Sequence, residues 1–146
     1  MDVFDFSKNL SYTEIENIEN EYTEFKLINN MNLIGEYINL NELVEMVSGD
    51  EDTLLVILSE FVEATPADMI ALNKSIEEQN FAQIIANAHK LKSSFRHLGI
   101  NSSIILQEIE YAAKNNAPIE EIKEKLIQVN VDFNGAMEEV NKILNN

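Results

Sequence analysis

Residues 84–99 read Ile84-Ile-Ala-Asn-Ala-His89-Lys-Leu-Lys92-Ser93-Ser-Phe-Arg96-His97-Leu-Gly99, and their spacing decides how the rest of the chain is read. At about 100° per residue, Phe81, Ile84, Ala88, Leu91, Phe95 and Leu98 share one apolar helical face. His89, Lys92, Ser93 and Arg96 take the i, i+3, i+4 and i+7 positions of a neighbouring stripe, which puts the imidazole at the edge of the buried face beside two cations. No Asp or Glu occurs from Gln79 to Gln107, in a chain with 26 carboxylates, so an anion such as a phosphoryl group would not be repelled here. Gly99 is placed for the left-handed residue that closes a helix. His97 falls in the last turn, where the helix dipole favours a cation.

Downstream of this helix, Asn101 or Ser102 caps another that carries Ile105, Leu106, Ile109 and Ala112 to about Asn115. Asn115-Asn-Ala-Pro118 supplies a turn, and a long last helix spaces Ile119, Ile122, Leu126, Val129, Phe133, Ala136, Val140 and Ile143 at helical period. Gly135 is a weak point in it, at about 1 kcal/mol against Ala. Upstream, Asp50 or Asp52 opens a helix in which Leu55, Leu58, Val62, Thr65, Met69, Leu72 and Ile76 keep phase across Pro66, predicting one kinked helix rather than two. Asn39 or Asn41 caps a short helix through Val47, stopped by Ser48-Gly49-Asp50. Ser11-Tyr-Thr-Glu14 has the form of a capping box, and Ile15, Ile18, Tyr22 and Phe25 predict a helix over residues 12–28, followed by a linker at 29–37.

No stretch alternates with period two for long enough to make a strand. Short turns between helices force neighbours to reverse. The expected architecture is all-α: an antiparallel up-and-down four-helix bundle over 37–146, with a short preceding helix and an N-terminal extension or linker over 1–36.

At 146 residues the chain suits one domain with an ordinary core. Cysteine is absent, which removes disulfides, thiolate metal sites and thiol nucleophiles and is compatible with a reducing cytoplasm, the expected location. A formal charge of −16 argues against nucleic acid and for protein partners. Residues 1–50 hold eleven carboxylates against Lys8 and Lys26, so the front is an acidic, solvated one. The longest apolar run, Leu54 to Leu58, is far short of the ~20 residues of a membrane span. Met1-Asp-Val-Phe-Asp-Phe does not resemble a signal peptide. The glycines at 35, 49, 99 and 135 are isolated and make no phosphate-cradling loop, so self-phosphorylation from ATP is not expected.

Ala88-His89-Lys-Leu91-Lys92-Ser93 followed by Leu98-Gly99 resembles the signature of histidine-containing phosphotransfer (HPt) domains, usually Ala-His-x-Leu-Lys-Gly with Leu-Gly six residues on. Leu54-Leu-x-x-Leu-x-x-Phe61, Pro66 and Ile109-Glu110 lie roughly where that family has similar residues, so the resemblance spans about 38–145. The chain departs from the pattern at Ser93, where the family has glycine, and at Arg96, where it has a small residue. The resemblance implies a carrier that takes a phosphoryl group from a receiver-domain aspartate onto His89 Nε2 and passes it to another receiver aspartate. It implies no cofactor of the chain's own, the Mg²⁺ belonging to the receiver. Lys92, Ser93 and Arg96 would then lie at the phosphoryl group, Arg96 either holding it or narrowing the choice of partner. Leu43, Val44 and Met46 of the short helix, with Ile85 and Ala86, would form an apolar docking surface.

The chemistry agrees independently: an imidazole, with an ordinary pKa of about 6.5, is partly unprotonated at neutral pH and can act as a nucleophile. A position on a helix face rather than in a pocket lets a second protein reach it. Lys90, about a quarter-turn from His89, is expected in solvent, and Glu110 matches an acidic or amide position of the family with an offset of one residue. Two other readings remain open: a non-catalytic helical adaptor, and the kinase-fed phosphoacceptor domain of a chemotaxis-type histidine kinase.

Overall fold

The computed structural model describes residues 33–145, and the helix expected over 12–28 lies outside them. Five helices follow in order: α1 (Asn41–Met46), α2 (Glu51–Glu77), α3 (Phe81–His97), α4 (Ser103–Lys114) and α5 (Ile119–Leu144). Helix α2 packs against α3 and α5, α3 against α4, and α4 against α5, a closed ring of four antiparallel neighbours around one core. Among the described residues the β structure is one isolated bridge, Ile34 to Asn39.

The apolar periods become the core. On α3, Ile84, Ala88, Leu91 and Phe95 are fully buried, and Phe95 stacks on Phe133 of α5 at a centroid distance of 6.3 Å. The α5 stripe from Ile122 to Ile143 is buried throughout. Helix α2 runs unbroken through Pro66, as its phase predicts. Its buried stripe includes Leu54, Leu58 and Phe61, so the expected Leu55 and Val62 only flank the core.

Four turns close by one device. Gly49 N–H reaches Val44 O, Asn80 reaches Ser75 O, Ile100 reaches Phe95 O and Ala117 reaches Ala112 O, at 2.9, 2.9, 2.9 and 3.0 Å. The residue before each donor is left-handed: Ser48 (φ 52°), Gln79 (φ 55°), Gly99 (φ 64°) and Asn116 (φ 52°). Only Gly99 lacks a side chain, and packing gives the reason. A Cβ there would lie 2.3 Å from the backbone oxygen of Asn39, whose own N–H donates to Leu98 O at 2.9 Å.

The described part of the segment before α1 is clasped against α5. Backbone N–H groups of Glu36, Tyr37 and Ile38 donate to the Glu139 carboxylate of α5 at 2.7, 2.7 and 3.1 Å. Tyr37 lies over Gly135, where a Cβ would meet its ring at 2.2 Å. Gly135 is therefore a site of close approach, and its low helix propensity accompanies a packing contact. Glu139→Ala leaves three donors without their acceptor, an expected loss of about 1–3 kcal/mol. Hydrogen exchange should speed at residues 36–38 and stay slow in α3; unchanged exchange at 36–38 would refute the clasp.

Candidate functional site

His89 lies on the outer side of α3, its side chain 69% exposed, because its helical phase is one step off the Ala88–Leu91 line. Nδ1 lies 2.9 Å from Oε1 of Glu110, which α4 brings alongside. Lys92, one turn on from His89, donates to the other oxygen, Oε2, at 2.9 Å. From one turn further along α4, Lys114 Nζ approaches Oε1 at 3.4 Å. The carboxylate is thus surrounded by an imidazole and two ammonium groups, its side chain only 8% exposed.

Burial pushes the Glu110 carboxyl upward, but hydrogen bonds from Lys92 and His89, with the charges of Lys92 and Lys114, outweigh it and hold the pKa below the ordinary glutamate value. At neutral pH the group is an anion and can only accept. Nδ1 must therefore carry the ring's proton, and in the neutral imidazole the lone pair is left on Nε2. Nε2 has no hydrogen-bond partner among the described residues.

Sequence reasoning gave Glu110 too little weight. Its signal was a carboxylate on the apolar stripe of α4, four residues after Leu106 and three before Ala113, both buried. The acid-free window from 79 to 107 is likewise a property of sequence alone, since packing brings Glu110 to His89 and Asp68 to Lys90, at 3.0 Å. Lys90, expected simply in solvent, is 68% exposed with that one partner.

The other expected residues are distributed as follows. Ser93 and Arg96 are exposed on the same side of α3, and Arg96 has no ion pair among the described residues. Lys92 is 18% exposed and committed to Glu110 through one of its three N–H donors, leaving two. Ala86 is exposed and Ile85 half-buried against the core. Leu43 is 1% exposed, so it is a core residue and not part of a docking face. Val44 is half-buried and Met46 is 65% exposed, so of the three apolar residues expected outside on α1, Met46 alone is largely so. No described helix is long and apolar enough to cross a membrane.

Among solved structures, the chain is similar to the HPT domain of the Hpt sensor hybrid histidine kinase from Shewanella, with a TM-score of 0.66 at 17% identity over 74% of this chain and 93% of that one. No family model and no curated protein matches the sequence. At that identity the likeness establishes the fold: this is an HPt-like helical bundle.

Proposed function

We propose that this chain is a phosphohistidine carrier, in which His89 Nε2 takes a phosphoryl group from an aspartyl phosphate on a receiver domain and yields it to a second receiver's aspartate. The observation that carries this reading is an exposed imidazole whose Nδ1–H is held by an ionised, buried Glu110. The HPt-like fold supports it, as does the setting of the Shewanella domain within a sensor hybrid histidine kinase.

In the step itself, the Nε2 lone pair attacks phosphorus, the bond from phosphorus to the aspartyl oxygen breaks, and the carboxylate leaves with that electron pair. The ring becomes cationic as the N–P bond forms, and Glu110 at Nδ1 offsets the developing charge. Two remaining Lys92 donors, the Ser93 hydroxyl and the Arg96 guanidinium, which has no ion pair among the described residues, are the groups on this face that can meet the three phosphoryl oxygens. Ala86 and Ile85 border the histidine as the apolar part of a docking face. The receiver brings the Mg²⁺.

Incubation with a phosphorylated receiver should give acid-labile, alkali-stable label on this chain. Label formed only with a kinase and ATP would replace the receiver-fed reading by the kinase-fed one, and no label from either donor would favour the adaptor.

Glu110 also makes stability depend on acidity. Its folded pKa is depressed, so its contribution is fully present above the unfolded carboxyl value of about 4.3 and is lost as pH falls through the lower folded value. Glu110→Gln should therefore cost about 1–3 kcal/mol at neutral pH, and the gap to the unchanged protein should narrow in acid. Urea unfolding at neutral pH and near pH 3.5 measures this, and a gap that widens in acid would contradict the assignment.

A further inference from the structure

Two ammonium groups hold Glu110, and they are placed differently. Lys92 donates to Oε2 at 2.9 Å, whereas Lys114 Nζ lies 3.4 Å from Oε1, the oxygen that also faces His89 Nδ1. Lys92 is 18% exposed and stands three residues after His89 on α3, so its ammonium is within a helical turn of the imidazole. Lys114 reaches from the last turn of α4, four residues after Glu110, with its side chain 57% exposed. Between exposed partners an i,i+4 pair of this kind contributes little. Here the acid is 8% exposed, so its water shell is largely gone and its oxygens depend on the groups set against them.

A phosphoryl group on Nε2 changes what Lys92 faces. Phosphorylated side chains carry about −1.5 to −2 at neutral pH, against −1 for a carboxylate, so the Lys92 ammonium is drawn from Oε2 toward the phosphoryl oxygens. With no second cation, a buried carboxylate would lose its fixed counter-charge just when the ring is cationic and Nδ1–H needs its acceptor.

We propose that Lys114 is a positioning residue for the phosphorylated state: it stays on Oε1 as Lys92 turns to the phosphoryl group, and so keeps the Glu110 carboxylate against Nδ1–H. The proposal rests on the carrier reading only in that His89 Nε2 bears a phosphoryl group. The neighbouring charges agree with it. Glu108, on the same side of α4, is engaged by Lys125 at 3.4 Å, and among the described residues Lys114 pairs with no carboxylate other than Glu110.

Exchange of the His89 Nδ1–H with water, followed by ¹⁵N NMR of the full chain, reads this hold directly. Phosphoramidate loads His89 without a receiver: its P–N bond breaks, the new N–P bond forms on the imidazole, and ammonia leaves. In the unphosphorylated chain Lys114→Met should change the exchange rate by less than about twofold, because Lys92 still holds Glu110. In the phosphorylated chain the same substitution should speed exchange at least about tenfold, and Lys114→Arg should not. Lys92→Met with Lys114→Met should give the same rise with no phosphoryl group at all, and Lys92→Met alone should not.

Equal effects of Lys114→Met in the two states would make it an ordinary structural pair and overturn the proposal. Slow exchange in the phosphorylated Lys114→Met chain, or in the double variant, would overturn it as well. Failure of a phosphorylated receiver to label the chain would instead count against the carrier reading, and the phosphoramidate and double-variant results would still decide the role of Lys114.

Discussion

His89→Gln is expected to reduce phosphoryl label from a receiver to background, a loss of at least about 100-fold, because no other side chain on this face combines a free nucleophilic lone pair with a fixed proton. The side chain is 69% exposed, so the substitution should change stability by no more than about 0.5 kcal/mol and the loss is chemical. His97→Gln is the informative control. That second histidine is exposed at the end of α3 and has no carboxylate partner among the described residues, so its removal should leave the label intact. Retained label in His89→Gln with loss in His97→Gln would move the site two turns along the helix and overturn the role given to Glu110.

Gly99→Ala carries the largest expected cost in stability, about 2–4 kcal/mol. Left-handed φ alone accounts for only ~1–2 kcal/mol. Gln79 and Asn116 hold the same conformation at equivalent turns with side chains attached. What differs at Gly99 is the backbone of Asn39, with its oxygen 2.3 Å and its carbonyl carbon 3.0 Å from the site of a new Cβ. Backbone cannot rotate aside as a side chain can, so relief requires Asn39 to withdraw from Leu98 and loosens the segment before α1. Thermal unfolding should show a fall in Tm of the order of 10 °C, and a fall of only a degree or two would mean that the segment yields freely.

Helical phase made much of the fold legible. The face from Phe81 to Leu98 and the stripe from Ile122 to Ile143 are local patterns, and a period of 3.6 residues declares them without knowledge of any neighbour. Phase continuity across Pro66 likewise identifies α2 as one helix. Where the reading depended on a neighbour, it stopped. Helix α1 offers Leu43, Val44 and Met46 within about one and a half turns, too short to show which of them faces inward, and Leu43 turned out to be core.

The candidate site divides in the same way. His89 and the cations after it stand on one helix and could be placed by spacing. Glu110 is 21 residues away, and only the packing of α4 on α3 sets its carboxylate against Nδ1. The roles of Gly99 and Gly135 were half-legible: the sequence marks a turn and a helix interior, but not that Asn39 and Tyr37 lie against them.

The most direct measurement of the central claim is nitrogen and phosphorus NMR of the ¹⁵N-labelled full chain after exposure to a phosphorylated receiver. The account predicts a single phosphohistidine at His89, bonded through Nε2 with Nδ1 still protonated against Glu110. Phosphorus on Nδ1, or on any residue other than His89, would contradict it.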